Sequence, residues 1–419
     1  MLVACALALP LAACSSSGSD VPVLTWYTNP DNGGQAEIAK TCTAAAEGRY
    51  RIVTSGLPTQ AAAQREQLAR RLAAHDSSLD IISLDPPFIP ELATFLAPVP
   101  EDVAAVVSKD VTKSALQGAS WEGALVTAPF WANTQLLWYR KSVAEAAGLD
   151  MTQPVTWDQV IEAAASQDKL LGVQGIKAES LTVWVNALVA SAGGAIVENP
   201  EAPQDEITIG LDSDAGRAAA TILQSISQTG VGGPGLPTED ENASLTVFQG
   251  DSGSFMVNWP FVWAATQASV EDGTIDQSVL DDMGWALYPA VSADRPVAPP
   301  YGGINLGVGK YSKHVDLAYE AVECIVAPEN QAQYFVSNGN PPASSVAFDD
   351  PAVLEEFPMA PVIRDSLELA VPRPQTRYYN EVSSGLQETW HPISSVNPDT
   401  TPQYSTEFIT AVLQGKRLL

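Results

Sequence analysis

Basic residues, histidine and cysteine are scarce in this chain of 419 residues. It has 21 Lys and Arg against 49 Asp and Glu, so its formal net charge is −28 at pH 7. A surface this acidic repels phosphodiester backbones and anionic lipid headgroups, which argues against nucleic acid and electrostatic membrane docking as partners. Three scattered histidines and the two cysteines that lie beyond the first 14 residues do not supply a standard zinc cluster. Neutral ligands are compatible with this composition.

Long hydrophobic runs are also missing. The apolar stretch Leu2–Ala13 is too short to span a bilayer, and no later one approaches the ~20 residues of a transmembrane helix. This stretch ends in Leu-Ala-Ala-Cys14 and is followed by the loose run Ser15–Ser19, which resembles a bacterial lipobox. The resemblance predicts that Cys14 is lipidated and that the protein is exported and anchored to the outer face of the cell membrane. The basic residue expected at the start of a signal peptide is absent, so a frayed apolar terminus is the alternative. A start codon upstream of Met1, within a longer signal sequence, would account for the missing basic residue.

The cysteines that remain after such processing are Cys42 and Cys324. Cys5 would be removed with the signal peptide and Cys14 would be acylated. Because disulfides persist in exported proteins, we predict one bridge between the remaining pair. Two separate buried thiols are the alternative.

The pattern of apolar residues predicts strands and helices in alternation. The length exceeds the ~100–200 residues of an ordinary domain, and a hydrophobic content of 46% argues against disorder. The alternation predicts an α/β fold with a mainly parallel sheet, in which ligands bind beyond the carboxyl ends of the strands. The first predicted elements are a strand at Val23–Thr28, a helix at Gly33–Glu47, a strand at Tyr50–Thr54, a helix at Gln60–Ala74 and a strand at Asp80–Leu84.

Further elements follow along the rest of the chain. Thr156 is predicted to cap a helix that continues to Ala165. Clusters of Pro and Gly at residues 296–303 and 338–342 are predicted hinges. The other predicted elements are strands at Leu136–Tyr139, Phe255–Trp259, Gly284–Tyr288 and Ile304–Val308, and helices at Leu181–Ala192 and Leu317–Ala327.

Two enzyme-like motifs lack the surrounding structure that their enzyme families require. The tetrapeptide Gly250–Gly253 (GDSG) matches the nucleophile loop of trypsin-like proteases, but its candidate partner His75 closes an amphipathic helix in a chain that is α/β. The segment Gly230–Gly235 formally satisfies G-x-G-x-x-G, but Pro234 follows where a helix should open. We interpret these segments as a turn and a loop. A pair of carboxylates suited to glycoside hydrolysis stays possible, because two loops far apart in sequence can meet in space.

Polar side chains beside aromatic ones lie at the ends of several predicted strands. Asn133 precedes LLWYR, Trp259 follows an apolar strand, and Gly302–Asn305 opens another. A neutral sugar needs this mixture, because its C–H face packs on an aromatic ring while carboxylates, amides and guanidinium groups bind its hydroxyls. The alternative for Trp259 alone is a core position, and for a single Asp at a strand end it is a turn or cap.

Several segments together resemble the solute-binding lipoproteins of carbohydrate ABC importers, and within them the trehalose-binding members most of all. The resemblance covers the whole mature chain. It implies a periplasmic-binding-protein-like fold with a ligand cleft between two α/β lobes, the first at 20–128 and 298–340 and the second at 129–297 and 341–419, behind a signal and tether at 1–19. Beyond the lipobox, the matching segments are VLTWYT, SLD (83–85), NTQLLWYR (133–140), TWDQVIEAA (156–164), VNWPFVWA (257–264) and GGINLGVGK (302–310).

The resemblance also implies a set of ligand-binding residues. Arg373 is the least secure of these, because Pro372 interrupts the expected pattern. Asp31 and Glu241 lie in loops where an alignment can slip, so Asn32, Glu239 and Asp240 are substitutes. The implied ligand-binding residues are Asp31, Asp85, Asn133, Glu241, Trp259, Gly303, Ile304 and Arg373.

These observations favour a binding protein over an enzyme. The resemblance implies that a monomer binds trehalose or a related disaccharide between its lobes and delivers it to a membrane permease, without a cofactor or metal ion. The alternatives are another solute, such as a maltodextrin, a glycerophosphodiester or a polyamine, and an exported glycosidase.

Overall fold

A computed structural model describes residues 21–31 and 33–419. The predictions made for residues 1–19, including Cys14, and for Asn32 lie outside the described residues. Most segments predicted as strands or helices from the sequence adopt that structure within a few residues.

The strands of the described chain are β1 (Val23–Thr28), β2 (Arg51–Gly56), β3 (Ile81–Leu84), β4 (Ser120–Trp121), β5 (Ala124–Leu125), β6 (Ala128–Thr134), β7 (Leu136–Arg140), β8 (Leu170–Gly172), β9 (Gly253–Asn258), β10 (Met283–Ala286), β11 (Pro300–Val308) and β12 (Val371–Pro372). The α-helices are α1 (Gly34–Ala45), α2 (Ala61–Ala73), α3 (Ile89–Leu92), α4 (Glu101–Val107), α5 (Lys113–Ala119), α6 (Lys141–Ala146), α7 (Trp157–Ala165), α8 (Glu179–Ser191), α9 (Asp214–Thr229), α10 (Glu241–Gln249), α11 (Phe261–Glu271), α12 (Gln277–Asp281), α13 (Val315–Ile325), α14 (Pro328–Asn338), α15 (Pro351–Glu356), α16 (Ala360–Leu369), α17 (Tyr379–Trp390) and α18 (Thr401–Leu413).

The first lobe is built on a six-stranded sheet. Its strand order is β12-β11-β3-β1-β2, and β6 also pairs with β11. β1 runs parallel to β2 and β3, as the alternating pattern predicts. β11 runs parallel to β12 but antiparallel to β3 and to β6, so the sheet is mixed, with three of its five strand pairings parallel. Its core contains Leu24, Trp26 and Ile81 from the sheet, with Ile38 and Val322 from the covering helices.

The second lobe is built on a four-stranded sheet in the order β10-β7-β9-β8. Here the prediction of a mainly parallel sheet is wrong, because β7 runs antiparallel to both β9 and β10 and only β8 and β9 are parallel. The reason lies at the lobe boundary, where Leu136 at the start of β7 pairs with Asn258 at the end of β9. β7 leads away from the first lobe and β9 leads back towards it, so the two strands must run in opposite directions.

The chain crosses between the sheets more than once. Gln135 alone separates β6 in the first sheet from β7 in the second, and residues 287–299 lead back from β10 to β11. The sequence-based division differs in detail from the sheet pairing. It places β6 almost entirely, and β12 wholly, in the second lobe, whereas both pair with β11 in the first sheet. No local pattern reveals such pairings, because the partner strand lies far away in sequence. The first predicted hinge is also partly strand, since β11 begins at Pro300.

Local contacts support this architecture. Thr156 caps α7 in a capping box with Gln159, as predicted. Of the two arrangements considered for Cys42 and Cys324, the structure has the disulfide, which joins α1 to α13 with a Cα–Cα distance of 5.8 Å. Within the described residues, no helix combines the length and apolar character needed to cross a membrane.

Candidate ligand-binding site

A cleft of about 740 Å³ lies between the two lobes. Each of the sequence-predicted binding residues lines it, although they come from widely separated parts of the chain. The first sheet and its loops contribute one wall, and the ends of β9, α8 and α10 contribute the opposite wall. The predicted residues that line the cleft are Asp31, Asp85, Asn133, Glu241, Trp259, Gly303, Ile304 and Arg373.

Asp31 lies in the loop that follows β1. Its carboxylate accepts hydrogen bonds from the backbone N–H groups of Gly33 (3.0 Å) and Gln35 (2.8 Å) at the start of α1. The side chain therefore has the local capping role that a strand-end Asp commonly has. Its remaining lone pairs are available to a ligand, because an ionised carboxylate accepts about four hydrogen bonds.

Asn133 and Trp259 meet across a glycine. The pairing of β6 with β11 places Asn133 opposite Gly302. A Cβ atom on Gly302 would lie 3.0 Å from Cη2 and 3.1 Å from Cζ3 of Trp259, so the indole ring packs directly on the bare backbone of this residue. The absence of a side chain at residue 302 thus brings an aromatic ring next to a buried amide.

Gly303 is required by its backbone conformation and by a close neighbour. Its φ of +125° is unfavourable for residues with a side chain, and a Cβ atom there would lie 2.3 Å from the carbonyl oxygen of Trp131. The register of β11 against β6 shifts directly after Ile304. This bulge is typical of strands that turn a segment towards a binding site.

Arg373 connects the two lobes. Its side chain is 5% exposed, and it donates to Asp85 at the carboxyl end of β3 and to Glu179 at the start of α8, each over 2.6 Å. Glu179 also accepts hydrogen bonds from the hydroxyls of Tyr379 and Ser383 (2.8 Å for Ser383). Burial raises the pKa of Asp85, whereas the Arg373 guanidinium opposes this rise. The result is a buried cation shared by two carboxylates.

Glu241 is the first residue of α10, and Asp240 is its cap. Asp240 accepts from the backbone N–H groups of Asn242 (3.1 Å) and Ala243 (2.8 Å). Burial raises the pKa of Glu241, and a hydrogen bond from Trp259 acts in the opposite direction. Of the substitutes named for Glu241, Asp240 lines the cleft, whereas Glu239 is buried beneath it and is 4% exposed.

The enzyme-like motifs lie outside this cleft. Gly250–Gly253 connects α10 to β9 in the second lobe, whereas His75 stacks on Tyr311 in the first lobe with 4.0 Å between ring centres. Gly230–Gly235 follows helix α9 rather than a strand, so it is not a dinucleotide-binding loop. In the part of the chain that the structure describes, no group of three or more His, Cys, Asp and Glu could hold a metal ion.

A polar cleft between two α/β lobes is typical of proteins that bind small solutes, and comparison with known families decides the assignment. The family profile of bacterial extracellular solute-binding proteins matches residues 35–332. The chain belongs to this family. This solute-binding protein is 25% identical over 425 residues to a probable ABC transporter-binding protein of Deinococcus radiodurans, with 96% of each chain covered.

Solved structures confirm the two-lobed fold of this solute-binding protein. MalE3 of T. maritima, with bound maltose, superposes with a TM-score of 0.77 at 22% identity and covers 94% of this chain and 99% of its own. The GacH receptor of Streptomyces glaucescens superposes with a TM-score of 0.75 at 18% identity and covers 94% and 98%.

Sequence reasoning missed part of the cleft of this solute-binding protein. Trp131 on β6 adds a second indole, and Glu179 adds a carboxylate that contacts Arg373. Trp131 could have been recognised from its position two residues before Asn133 on the same strand, since alternate strand residues share a face. Glu179 has no such signal, because an acidic residue at a helix start is ordinary.

Proposed function

We propose that this solute-binding protein is the extracytoplasmic lipoprotein of an ABC sugar importer. The protein is a monomer that binds trehalose or a related disaccharide between its lobes. It delivers the sugar to the permease without chemical conversion. The observation that carries the proposal is a cleft of about 740 Å³ in which an indole ring, a buried amide, carboxylates and a guanidinium converge. Specific small-molecule sites have this volume and this combination of apolar surface with a few polar groups.

The carboxylates of the cleft favour a neutral ligand over a polyamine. Asp31 and Asp240 cap helices, and Asp85 and Glu179 share Arg373. Glu241 is left, and burial raises its pKa, which weakens its tendency to ionise. A polyamine site needs ionised carboxylates free to surround a cation. Here four of the five carboxylates already hold hydrogen-bond donors of the protein in fixed positions, so they are not free to surround a cation, while oxygen lone pairs remain to accept sugar hydroxyls.

The single cation argues against a glycerophosphodiester. Among the described residues, Arg373 is the only Lys or Arg that lines the cleft. Its charge is shared between two carboxylates at 2.6 Å. A phosphate group placed beside it would also face the charges of Asp85 and Glu179, so its binding would be opposed by like-charge repulsion.

Selectivity follows from the polar groups that a wrong sugar would leave unpaired. Asn133 and Arg373 donate to hydroxyls, Asp31, Asp85 and Glu241 accept from them, and the ring of Trp259 packs on a sugar face. A sugar with one inverted hydroxyl leaves a buried donor or acceptor without a partner, which costs affinity. Contacts from both lobes stabilise the closed state by the difference in affinity between closed and open forms.

A thermal-shift panel tests the ligand class. The purified protein is heated with trehalose, maltose, glucose, glycerophosphocholine or spermidine at millimolar concentration. We expect the largest rise in melting temperature with trehalose, because a ligand that binds only the folded state stabilises it by mass action. No rise with trehalose would remove the specific proposal, and a rise with spermidine alone would remove the sugar proposal. Formation of glucose from trehalose would instead favour a glycosidase.

The lipid anchor has its own test. Cells grown with a labelled fatty acid should incorporate the label into the wild-type protein and not into the Cys14→Ser variant. The variant should be released from the membrane fraction, because it loses the acyl chains that hold it there. Equal labelling of both proteins would contradict the anchor at Cys14.

A further inference from the structure

Glu179 is unusually well fixed for a residue at the edge of a binding cleft. It is the first residue of α8 in the second lobe, where the positive end of the helix dipole stabilises a carboxylate. One oxygen, Oε1, accepts from Arg373 and from the Tyr379 hydroxyl, and Oε2 accepts from Ser383 at 2.8 Å. Tyr379 is in turn held against Phe88 of the first lobe, with ring centres 5.7 Å apart.

The guanidinium of Arg373, which contacts this carboxylate, would be free to rotate without contacts from both lobes. Nη1 of Arg373 donates to Glu179 from the second lobe, and Nη2 donates to Asp85 from the first lobe. With one terminal nitrogen fixed from each lobe, the planar group has a single orientation across the cleft. Of the five N–H groups of an arginine, two are used in these contacts. Nε is buried and has no hydrogen-bond partner among the described residues, so one further N–H group on each of Nη1 and Nη2 is left for a ligand.

We propose that Glu179 is a positioning residue for ligand binding, which acts by fixing the Arg373 guanidinium so that the second N–H groups of Nη1 and Nη2 face the sugar. This inference rests on the proposed function for the identity of the ligand. Asp85 alone leaves the guanidinium free to turn about one contact, and the orientation then has to be fixed when the sugar binds. A group that is already oriented avoids this cost, so the second carboxylate increases affinity without touching the ligand.

A double-mutant cycle separates positioning from direct contact. Trehalose affinity is measured by calorimetry for wild type, Glu179→Gln, Arg373→Gln and the double variant. We expect Glu179→Gln to weaken binding about tenfold to a hundredfold, the range for a hydrogen bond to a charged group. The double variant should bind no more weakly than Arg373→Gln alone, because Glu179 acts through Arg373. Losses that add, or no loss in Glu179→Gln, would overturn the proposal.

Two further variants are measured beside the cycle, one as a control and one with a smaller expected effect. Glu388→Gln on the same lobe removes an exposed ion pair with Lys177 and should leave affinity unchanged. Ser383→Ala removes one hydrogen bond to Glu179 and should cause a smaller loss than Glu179→Gln, and only while Glu179 is present.

The same double-mutant cycle is also run on the melting temperature of the ligand-free protein, so that its result does not depend on which sugar binds. Non-additive changes in melting temperature support a pair in which Glu179 fixes Arg373, and additive changes overturn it. If the wild type binds no sugar of the panel, the proposed function fails, and this ligand-free cycle still decides whether Glu179 fixes Arg373.

Discussion

Glu239 makes stability depend on pH in a direction that can be calculated. Its side chain is 4% exposed, its Oε2 atom has no hydrogen-bond partner among the described residues, and burial raises its pKa to about 7 from a usual value of 4.5. A hydrogen bond from the backbone of Val173 acts in the opposite direction and is the weaker effect. This rise in pKa corresponds to a penalty of about 3 kcal/mol for ionising the buried group.

The sign of the effect follows from the raised pKa. Below pH 4.5 the carboxyl is protonated in folded and unfolded chains, so burial carries no ionisation penalty. As the pH rises through 7, the unfolded chain is ionised while the folded chain must either hold a proton or bury a charge. The contribution of Glu239 to the free energy of unfolding therefore falls by about 3 kcal/mol between pH 4.5 and 8.

The variant Glu239→Gln removes the titrating carboxyl group and nearly preserves the shape of the side chain. Urea denaturation of wild type and variant at pH 4.5, 6, 7 and 8 should show the stability of Glu239→Gln rising relative to wild type by about 3 kcal/mol across the series. A constant offset from the new amide cancels in this comparison. Glu388→Gln, at an exposed ion pair, is the matched control for replacing a carboxyl by an amide. A flat difference for Glu239→Gln would refute the reasoning.

Four other variants test the site and the fold. Trp259→Ala should raise the Kd for the sugar about 30-fold or more, since covering one sugar face contributes about 2–3 kcal/mol of apolar burial; unchanged calorimetric affinity would contradict the stacking role. Gly302→Ala places a methyl group 3.0 Å from the Trp259 ring and should weaken binding about threefold to tenfold with little change in melting temperature, because a displaced ring costs only part of its contacts. Gly303→Ala should instead lower stability by about 1–3 kcal/mol, because φ is +125° and the Trp131 carbonyl is in the way; equal behaviour of the two variants in thermal unfolding would count against this difference. Replacing Cys42 and Cys324 by Ser should lower the melting temperature by roughly 6 °C, because the disulfide closes a span of 282 residues, which corresponds to about 5 kcal/mol of chain entropy; an unchanged melting curve would show that the bond does not restrain the unfolded chain.

Elements dominated by local signals could be predicted from the sequence. The strand at Val23–Thr28 has the predicted bounds, and the helix capped by Thr156 begins where the capping residue indicates. The sequence predicts β11 only from Ile304, because the segment Pro300–Gly303 has the Pro and Gly content of a hinge. Its strand conformation depends on pairing with β6 and β12, which lie far away in the chain.

The residues of the candidate site also divide into those with a local sequence signal and those that depend on distant contacts. Asp85 and Trp259 could be named from their positions at strand ends and from resemblance, and the structure places both in the cleft. Glu179 could not, because its partner Arg373 is 194 residues away and only the folded chain brings them within 2.6 Å. From the sequence, Glu239 and Glu241 are acidic residues of one loop with no signal to tell them apart, and their different burial distinguishes them only in the folded chain.

The central claim is that the cleft between the lobes binds a neutral disaccharide. Calorimetric titration of trehalose into the purified protein tests it most directly, with Asp85→Ala as the matched variant because Arg373 keeps its contact with Glu179. The account predicts saturable, reversible binding of one sugar per protein, with the sugar recovered intact and the heat lost in a variant that melts as a folded protein. No heat with wild type at millimolar trehalose, or undiminished binding by Asp85→Ala, would contradict it.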